Sequence, residues 1–224
     1  MNVRVKICGI NSIEAANVTV AAGTDFAGLV FFPASPRHLN FDQARNLAGV
    51  LRGAVKIVSL VVDPDDALVE QIMNHVTPDM LQLHGRESPA RVAEIARMSQ
   101  RPVIKALAVT APEDLRAVSA YRETADYLLL DSRPGPAAER PGGAGVAFDW
   151  RLLTGFRFAR PWGLAGGLTP DNVARAIAIA KPDFVDASSG VEDAPGRKNR
   201  GKIAAFISAA RGPYTPAAES EQRH

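Results

Sequence analysis

The chain has 224 residues, 46% of them apolar and 22% charged, with a formal net charge of +2. That length and apolar content allow one large core, and so even a charge balance argues against nucleic acid or an anionic membrane surface as a partner. A single cysteine, Cys8, excludes an intramolecular disulfide, the four histidines His38, His75, His84 and His224 lack metal-ligand spacing, and no apolar run reaches the roughly 18 residues of a membrane span.

Met1–Lys6 leads straight into a strand-like segment and does not read as a signal peptide, so a reducing, cytoplasmic setting is expected. The first strand candidate is Val3–Cys8. Asn11 followed by Glu14 then predicts a capping box at the start of a helix. Phe26–Phe31 is the second strand, and Asn40 with Gln43 repeats the capping box. Val55–Val62 is the third, followed by Asp63-Pro64, a capping residue before a proline at the first helical position. Met80–Leu83 leads to Ser88-Pro89, and Val103–Leu107 to Thr110-Ala111-Pro112-Glu113, on the same theme. Tyr127–Leu130 is the sixth strand. The long connection from Ser132 to Ala147 is rich in Gly, Pro and Ala, as an active-site lid would be. Trp162–Ala165 precedes Thr169-Pro170 and a helix with the apolar stripe Val173, Ala176, Ile177 and Ala180. Phe184–Ala187 is the eighth strand. Residues 1–210 therefore read as one domain, and the polar stretch Arg211–His224, with two prolines, as a flexible tail.

The strands are near-continuous Val/Ile/Leu-rich runs, as in a parallel sheet covered by helices. Eight strand–helix units predict an α/β fold, a (β/α)8 TIM barrel. A doubly wound open sheet is the rival, but it calls for a G-x-G-x-x-G turn after the first strand, and Cys8-Gly9-Ile10-Asn11 does not match.

Barrel chemistry sits at the C-terminal ends of the strands, with phosphate often held after strands seven and eight. Gly166-Gly167 leaves strand seven, and Ser188-Ser189-Gly190 leaves strand eight. Glycine lets backbone approach an anion, and amides at a helix start supply donors. Cys8 closes strand one and is a candidate base, with Lys6 on the same strand face to favour the thiolate. Asp131 closes strand six and is a candidate acid, provided it holds a proton. Gln82 and His84 alternate with leucines and share a face that lines the pocket. Arg37, after strand two, offers a planar fork to a carboxylate. Asp186 ranks below these as a structural candidate.

These residues carry a resemblance. Val5-Lys6-Ile7-Cys8-Gly9, Ser35-Pro36-Arg37, Leu81-Gln82-Leu83-His84-Gly85, Asp131 with Pro141-Gly142-Gly143, Phe148-Asp149-Trp150, Leu164-Ala165-Gly166-Gly167-Leu168 and Asp186-Ala187-Ser188-Ser189-Gly190-Val191-Glu192 occur in order. The chain resembles the N-(5′-phosphoribosyl)anthranilate isomerase family of tryptophan biosynthesis from about residue 3 to residue 210. The resemblance implies an Amadori rearrangement, an aldose–ketose isomerisation of a phosphorylated aminosugar. It implies Asp131 as acid on the furanose oxygen, Cys8 as base at C2′, Arg37 on the anthranilate carboxylate, and the two late loops on the phosphate. It also implies no cofactor, no metal, and a monomer or homodimer. The run Gly196-Arg197-Lys198-Asn199-Arg200-Gly201-Lys202 is more basic than the family pattern, a departure expected to concern the last helix rather than the chemistry. Ala144 stands where a hydroxyl or amide residue is common.

Two other readings remain at this point. A histidine-pathway type of phosphosugar isomerase shares the phosphate loops but uses a carboxylate in place of Cys8. A barrel that only binds a phosphorylated metabolite would keep the phosphate site and lose the acid–base pair.

Overall fold

The structure, a computed structural model, describes residues 3–132 and 149–212. Eight parallel strands close into a barrel in chain order. They are β1 (Arg4–Cys8), β2 (Phe26–Phe31), β3 (Lys56–Val61), β4 (Met80–Leu83), β5 (Val103–Val109), β6 (Tyr127–Ser132), β7 (Trp162–Leu164) and β8 (Phe184–Ala187). Around them run α1 (Ile13–Ala21), α2 (Phe41–Leu51), α3 (Asp66–His75), α4 (Pro89–Ser99), α5 (Asp114–Val118), α6 (Val173–Ala180) and α7 (Arg200–Arg211). A small hairpin, β9 (Glu192–Ala194) and β10 (Arg197–Lys198), leaves the mouth after β8. Arg211 ends α7 and binds Gly23 O and Asp25 Oδ2 at 2.7 and 2.9 Å. The expected lid between Ser132 and Ala147, the Pro141-Gly142-Gly143 motif within it, and the tail from residue 213 lie outside the described residues.

The strand interior is layered. Phe26, Val58, Met80, Ile104, Ala106, Leu129, Ala165 and Phe184 pack as a plug, and Cys8, Val30 and Leu60 lie above it toward the mouth. Val5, Ile7, Ala27, Leu29, Leu81, Leu83, Leu128 and Leu130 point the other way, into the core shared with the helices. Alternate residues of each strand thus serve two apolar layers, at about 1.5–3 kcal/mol for each large side chain buried.

The capping pattern holds at Asn40/Gln43 and at Ser88, where the side chains take the Gln43 and Arg91 amides. It is corrected at four other helix starts. Ser12, not Asn11, caps α1 by accepting from Ala15 N, while Asn11 donates to Gly196 O at 2.8 Å. Asp65 caps α3, and Asp63 instead accepts from Arg86 N. Asn172 Oδ1 takes the Thr169 amide, and α6 starts at Val173 with no side-chain cap. Asp114 Oδ2 takes the amides of Thr110 and Ala111. Each stretch offers several cap-competent side chains, and the loop path decides which oxygen meets the free amides.

β5 and β6 run two residues past their expected ends because Ala108 pairs with Asp131 and Val109 with Ser132. Asp131 therefore sits inside a strand and is held by its ladder. After β4 a buried pair fixes the next loop: Lys105 Nζ meets Glu87 Oε2 at 2.6 Å and Gly85 O at 2.8 Å. Removing one partner of such a pair costs about 3–5 kcal/mol, so the loop that follows His84 is firmly placed.

Candidate active site

A cavity of about 490 Å³ opens at the C-terminal mouth, and all nine expected site residues line it: Cys8, Arg37, Gln82, His84, Asp131, Gly166, Gly167, Ser188 and Ser189. The β1–β8 register places Lys6 beside Asp186, both pointing inward. Their side chains form a buried ion pair of 2.9 Å. Burial works against the Lys6 ammonium, but Asp186 and Cys8 together outweigh it and raise its pKa. Asp186, ranked low from sequence, is thus a wall of the site and the partner of the cation beside the thiol.

Burial pushes the Cys8 thiol up, and Lys6 opposes this without reversing it, since Asp186 acts the other way. The expected promotion of the thiolate by Lys6 is therefore only part of the balance, and burial favours the protonated thiol. Alkylation of Cys8, the sole cysteine, by iodoacetamide should be slow at neutral pH. Its rate should rise only on the alkaline side of the ordinary thiol range near 8.5. A fast rate at pH 7 would contradict this.

Arg37 is not a free surface charge. It forms a fork on Glu192, Nε to Oε1 at 2.8 Å and NH2 to Oε2 at 2.6 Å. That leaves the NH1 edge of the guanidinium for another anion. Glu192 also accepts from Lys198 Nζ at 2.7 Å. Lys198 Nζ in turn donates to Ser188 O and Oγ at 3.1 and 3.4 Å, and Ser188 Oγ donates to Cys8 O at 3.1 Å. Burial raises the Glu192 carboxyl pKa, but Arg37 and Lys198 together bring it below the usual range. Burial lowers the Lys198 pKa despite Glu192. So the basic run does reach the site, contrary to expectation: Lys198, its side chain 2% exposed, braces the loop after β8. Sequence reasoning missed Glu192 and Lys198 as a pair. The available signal was the Pro195-Gly196 turn, which folds β10 onto β9 and sets Lys198 opposite Glu192.

Gly166 and Gly167 follow β7 with φ of 85° and 64°, a conformation that favours glycine. Their amides donate to none of the described residues, and α6 begins just beyond. Gly190, in the loop after β8, lies against Leu168 O, where a Cβ would collide with backbone. The two loops therefore close on each other, with glycine amides of the kind that can donate to an anion. Gly190→Ala should force them apart, weakening inorganic phosphate binding and lowering thermal stability by about 1–3 kcal/mol. Calorimetry and a melting curve check this, and unchanged values would contradict it.

Across the mouth, His84 Nε2 lies 3.2 Å from Asp131 Oδ2, and Gln82 Nε2 lies 2.9 Å from His84 Nδ1. Gln82 and His84 do share the inward face; Gln82 Nε2 and both His84 ring nitrogens are engaged with each other and with Asp131, while Gln82 Oε1 is buried without a partner among the described residues. Val30, Phe32, Leu60 and Val62 give the β2–β3 side of the cavity an apolar wall.

A closed (β/α)8 barrel with a thiol, a carboxyl and two glycine-bearing loops around one cavity at the strands' C-terminal ends is the architecture of a barrel enzyme. The family model for N-(5′-phosphoribosyl)anthranilate (PRA) isomerase matches residues 5–209. An N-(5′-phosphoribosyl)anthranilate isomerase of Rhodopseudomonas palustris (strain BisA53) is 51% identical over 211 residues, covering 94% of this chain and 97% of the relative. The solved phosphoribosyl anthranilate isomerase of Thermotoga maritima superposes with a TM-score of 0.83 at 39% identity, covering 93% of this chain and 98% of that one. A phosphoribosyl anthranilate isomerase solved in complex with reduced 1-(o-carboxyphenylamino)-1-deoxyribulose 5-phosphate gives 0.80 at 37% identity, with coverage of 93% and 98%. The chain belongs to the N-(5′-phosphoribosyl)anthranilate isomerase family.

Proposed function

We propose that this chain isomerises N-(5′-phosphoribosyl)anthranilate to 1-(2-carboxyphenylamino)-1-deoxyribulose 5-phosphate, the Amadori step of tryptophan biosynthesis, with Asp131 as acid and Cys8 as base. The observation that carries the assignment of roles is the placement of a carboxyl on β6 and a thiol on β1 around one cavity, beside a two-loop anion cradle. The phosphate sits in the cradle of Gly166, Gly167, Ser188 and Ser189, and the NH1 edge of Arg37 takes the anthranilate carboxylate. The apolar wall of Val30, Leu60 and Val62 receives the aromatic ring. Both charged ends of the substrate are then fixed, and the sugar between them is held in one orientation.

Asp131 gives its proton to the furanose ring oxygen as the C1′–O4′ bond breaks. The nitrogen lone pair forms the C1′=N double bond, leaving a cationic imine and the Asp131 carboxylate. The Cys8 thiol gives its proton to bulk water, and the thiolate then removes the C2′ proton. The C–H electron pair becomes the C1′=C2′ bond, and the imine nitrogen recovers its lone pair. The resulting enolamine loses the proton of its 2′-hydroxyl and gains one at C1′, which gives the ketone. The imine is the electron sink. Its positive charge, with the Lys6 ammonium, offsets the cost of ionising a buried thiol.

The setting proposed is cytoplasmic. Among the described residues no helix is long and apolar enough to cross a membrane. The test of the activity is the decay of phosphoribosylanthranilate fluorescence on adding the protein. Turnover is expected. Binding of the substrate without turnover would favour a barrel that only binds a phosphorylated metabolite.

A further inference from the structure

We infer that Lys198, acting through Glu192, keeps the Arg37 side of the cavity net positive and so selects a ligand that carries a carboxylate at the end away from its phosphate. This rests on the reading that Arg37 takes the anthranilate carboxylate. It makes Lys198 a positioning residue, one that sets the strength of the Arg37 site without touching the substrate.

Three loops build the cluster. Arg37, after β2, lies across Gly9, after β1, where a Cβ would collide with the arginine stem. The β9–β10 hairpin closes from the other side. At its turn Gly196, with φ of 80°, packs against Pro36 O, and Asn11 Nδ2 donates to Gly196 O at 2.8 Å. Between them the Glu192 carboxylate is filled. Oε1 accepts from Arg37 Nε at 2.8 Å and from Lys198 Nζ at 2.7 Å. Oε2 accepts from Arg37 NH2 at 2.6 Å and from Gly196 N at 3.2 Å. A carboxylate has roughly four acceptor sites, so none is left for a ligand.

Lys198 is equally committed. Its nitrogen faces Glu192 Oε1, Ser188 O and Ser188 Oγ, and the Ser188 hydroxyl proton is directed to Cys8 O. All three neighbours are therefore acceptors toward Lys198. Three acceptors around one nitrogen require three protons, so the side chain is the ammonium even though burial lowers its pKa. Arg37 and Glu192 line the cavity and Lys198 does not. What Lys198 contributes to the site is charge.

That charge decides how an anion is received. An Arg–Glu pair is neutral as a whole. A carboxylate arriving at the free NH1 edge of Arg37 would be attracted by the guanidinium and repelled by Glu192 behind it, and in a buried site the repulsion is weakly screened. Lys198, on Glu192, offsets it. Two cations and one anion leave one positive charge, which a single carboxylate neutralises. The same ammonium holds Ser188, so the carboxylate end and the phosphate end of the cavity share one brace.

The experiment is calorimetry on the full chain with two ligands: the reduced product, and its analogue whose aryl ring lacks the carboxylate. The ratio of their affinities cancels any effect of a loosened loop on the phosphate. Wild type should prefer the carboxylate. Lys198→Met should lower that preference by about tenfold. Glu192→Gln keeps an acceptor for Arg37 and removes the repulsion, so it should raise the preference. Lys198→Met with Glu192→Gln restores one net positive charge and should bring the ratio back to within about threefold of wild type. A ratio unchanged by Lys198→Met, or lowered and not restored in the double variant, would overturn the inference and leave Lys198 a brace alone. If Lys198→Met does not fold, Glu192→Gln decides by sign: a raised preference supports the inference, and an unchanged or lowered one overturns it. Phosphoribosylanthranilate turnover by the wild type separates the two levels. A wild type that turns over but binds both ligands alike loses the carboxylate selection only, whereas one that selects the carboxylate without turnover loses the proposed reaction only.

Discussion

Asp131→Asn is expected to lower kcat by 10²-fold or more, with KM near the wild-type value. The substitution keeps the size and planarity of the side chain, and an amide oxygen can still accept from His84, so the β6 ladder and the mouth stay in place. What is lost is the transferable proton. Opening the furanose without acid leaves an alkoxide to depart from C1′, and general acid help at such a step is typically worth about 10²–10⁴-fold. A hundredfold corresponds to about 2.7 kcal/mol of transition-state stabilisation, more than a neutral hydrogen bond to the ring oxygen supplies. Steady-state fluorescence assays on the purified variant check it. Turnover within a few-fold of wild type would remove Asp131 from its role.

Cys8→Ala and Cys8→Ser should each lose 10²-fold or more in kcat, and the comparison between them is the informative part. Cys8 is 5% exposed and packs with Val30 and Leu60, so alanine removes packing as well as the base. Serine keeps most of the volume but has a hydroxyl too weakly acidic to ionise near neutrality. Equal losses in the two variants identify ionisation as the missing property. A serine variant that retains most of the activity would show that the position is filled for packing alone. Lys6→Met is a poorer test of the same idea. It strands the Asp186 carboxylate in a buried site, at a cost of about 3–5 kcal/mol, and that carboxylate itself disfavours the thiolate.

The barrel was legible because the strands are apolar on both faces. The same property hid which residues face inward: Leu128 and Leu130 look outward to the helices while Leu129 and Asp131 look inward, and leucines on both faces give no period-two signal. Cys8, Asp131 and the two glycine or serine loops were readable because each stands at the end of a strand, where barrel chemistry is built. Glu192 and Lys198 were not. A Glu-Asp-Ala-Pro-Gly-Arg-Lys stretch reads as a solvated turn, and only the fold shows Lys198 turned back under Ser188. The bond from His84 to Asp131 was equally hidden, since it joins strands β4 and β6 across β5. The helix caps that were misplaced failed for a simpler reason. Asn11 and Ser12, or Asp63 and Asp65, are chemically equivalent caps, and only the route of the loop selects between them.

The most direct test is a crystal structure of this chain bound to the reduced product, which keeps the phosphate, the carboxylate and the open sugar chain but cannot react. The phosphate should lie on the amides of Gly166 and Gly167 with Ser188 and Ser189 beside it, C2′ should face Cys8 Sγ, and the 4′-hydroxyl should stand within hydrogen-bond distance of Asp131. A phosphate bound elsewhere, or a sugar chain that leaves Sγ and the carboxyl on the same side, would contradict the account.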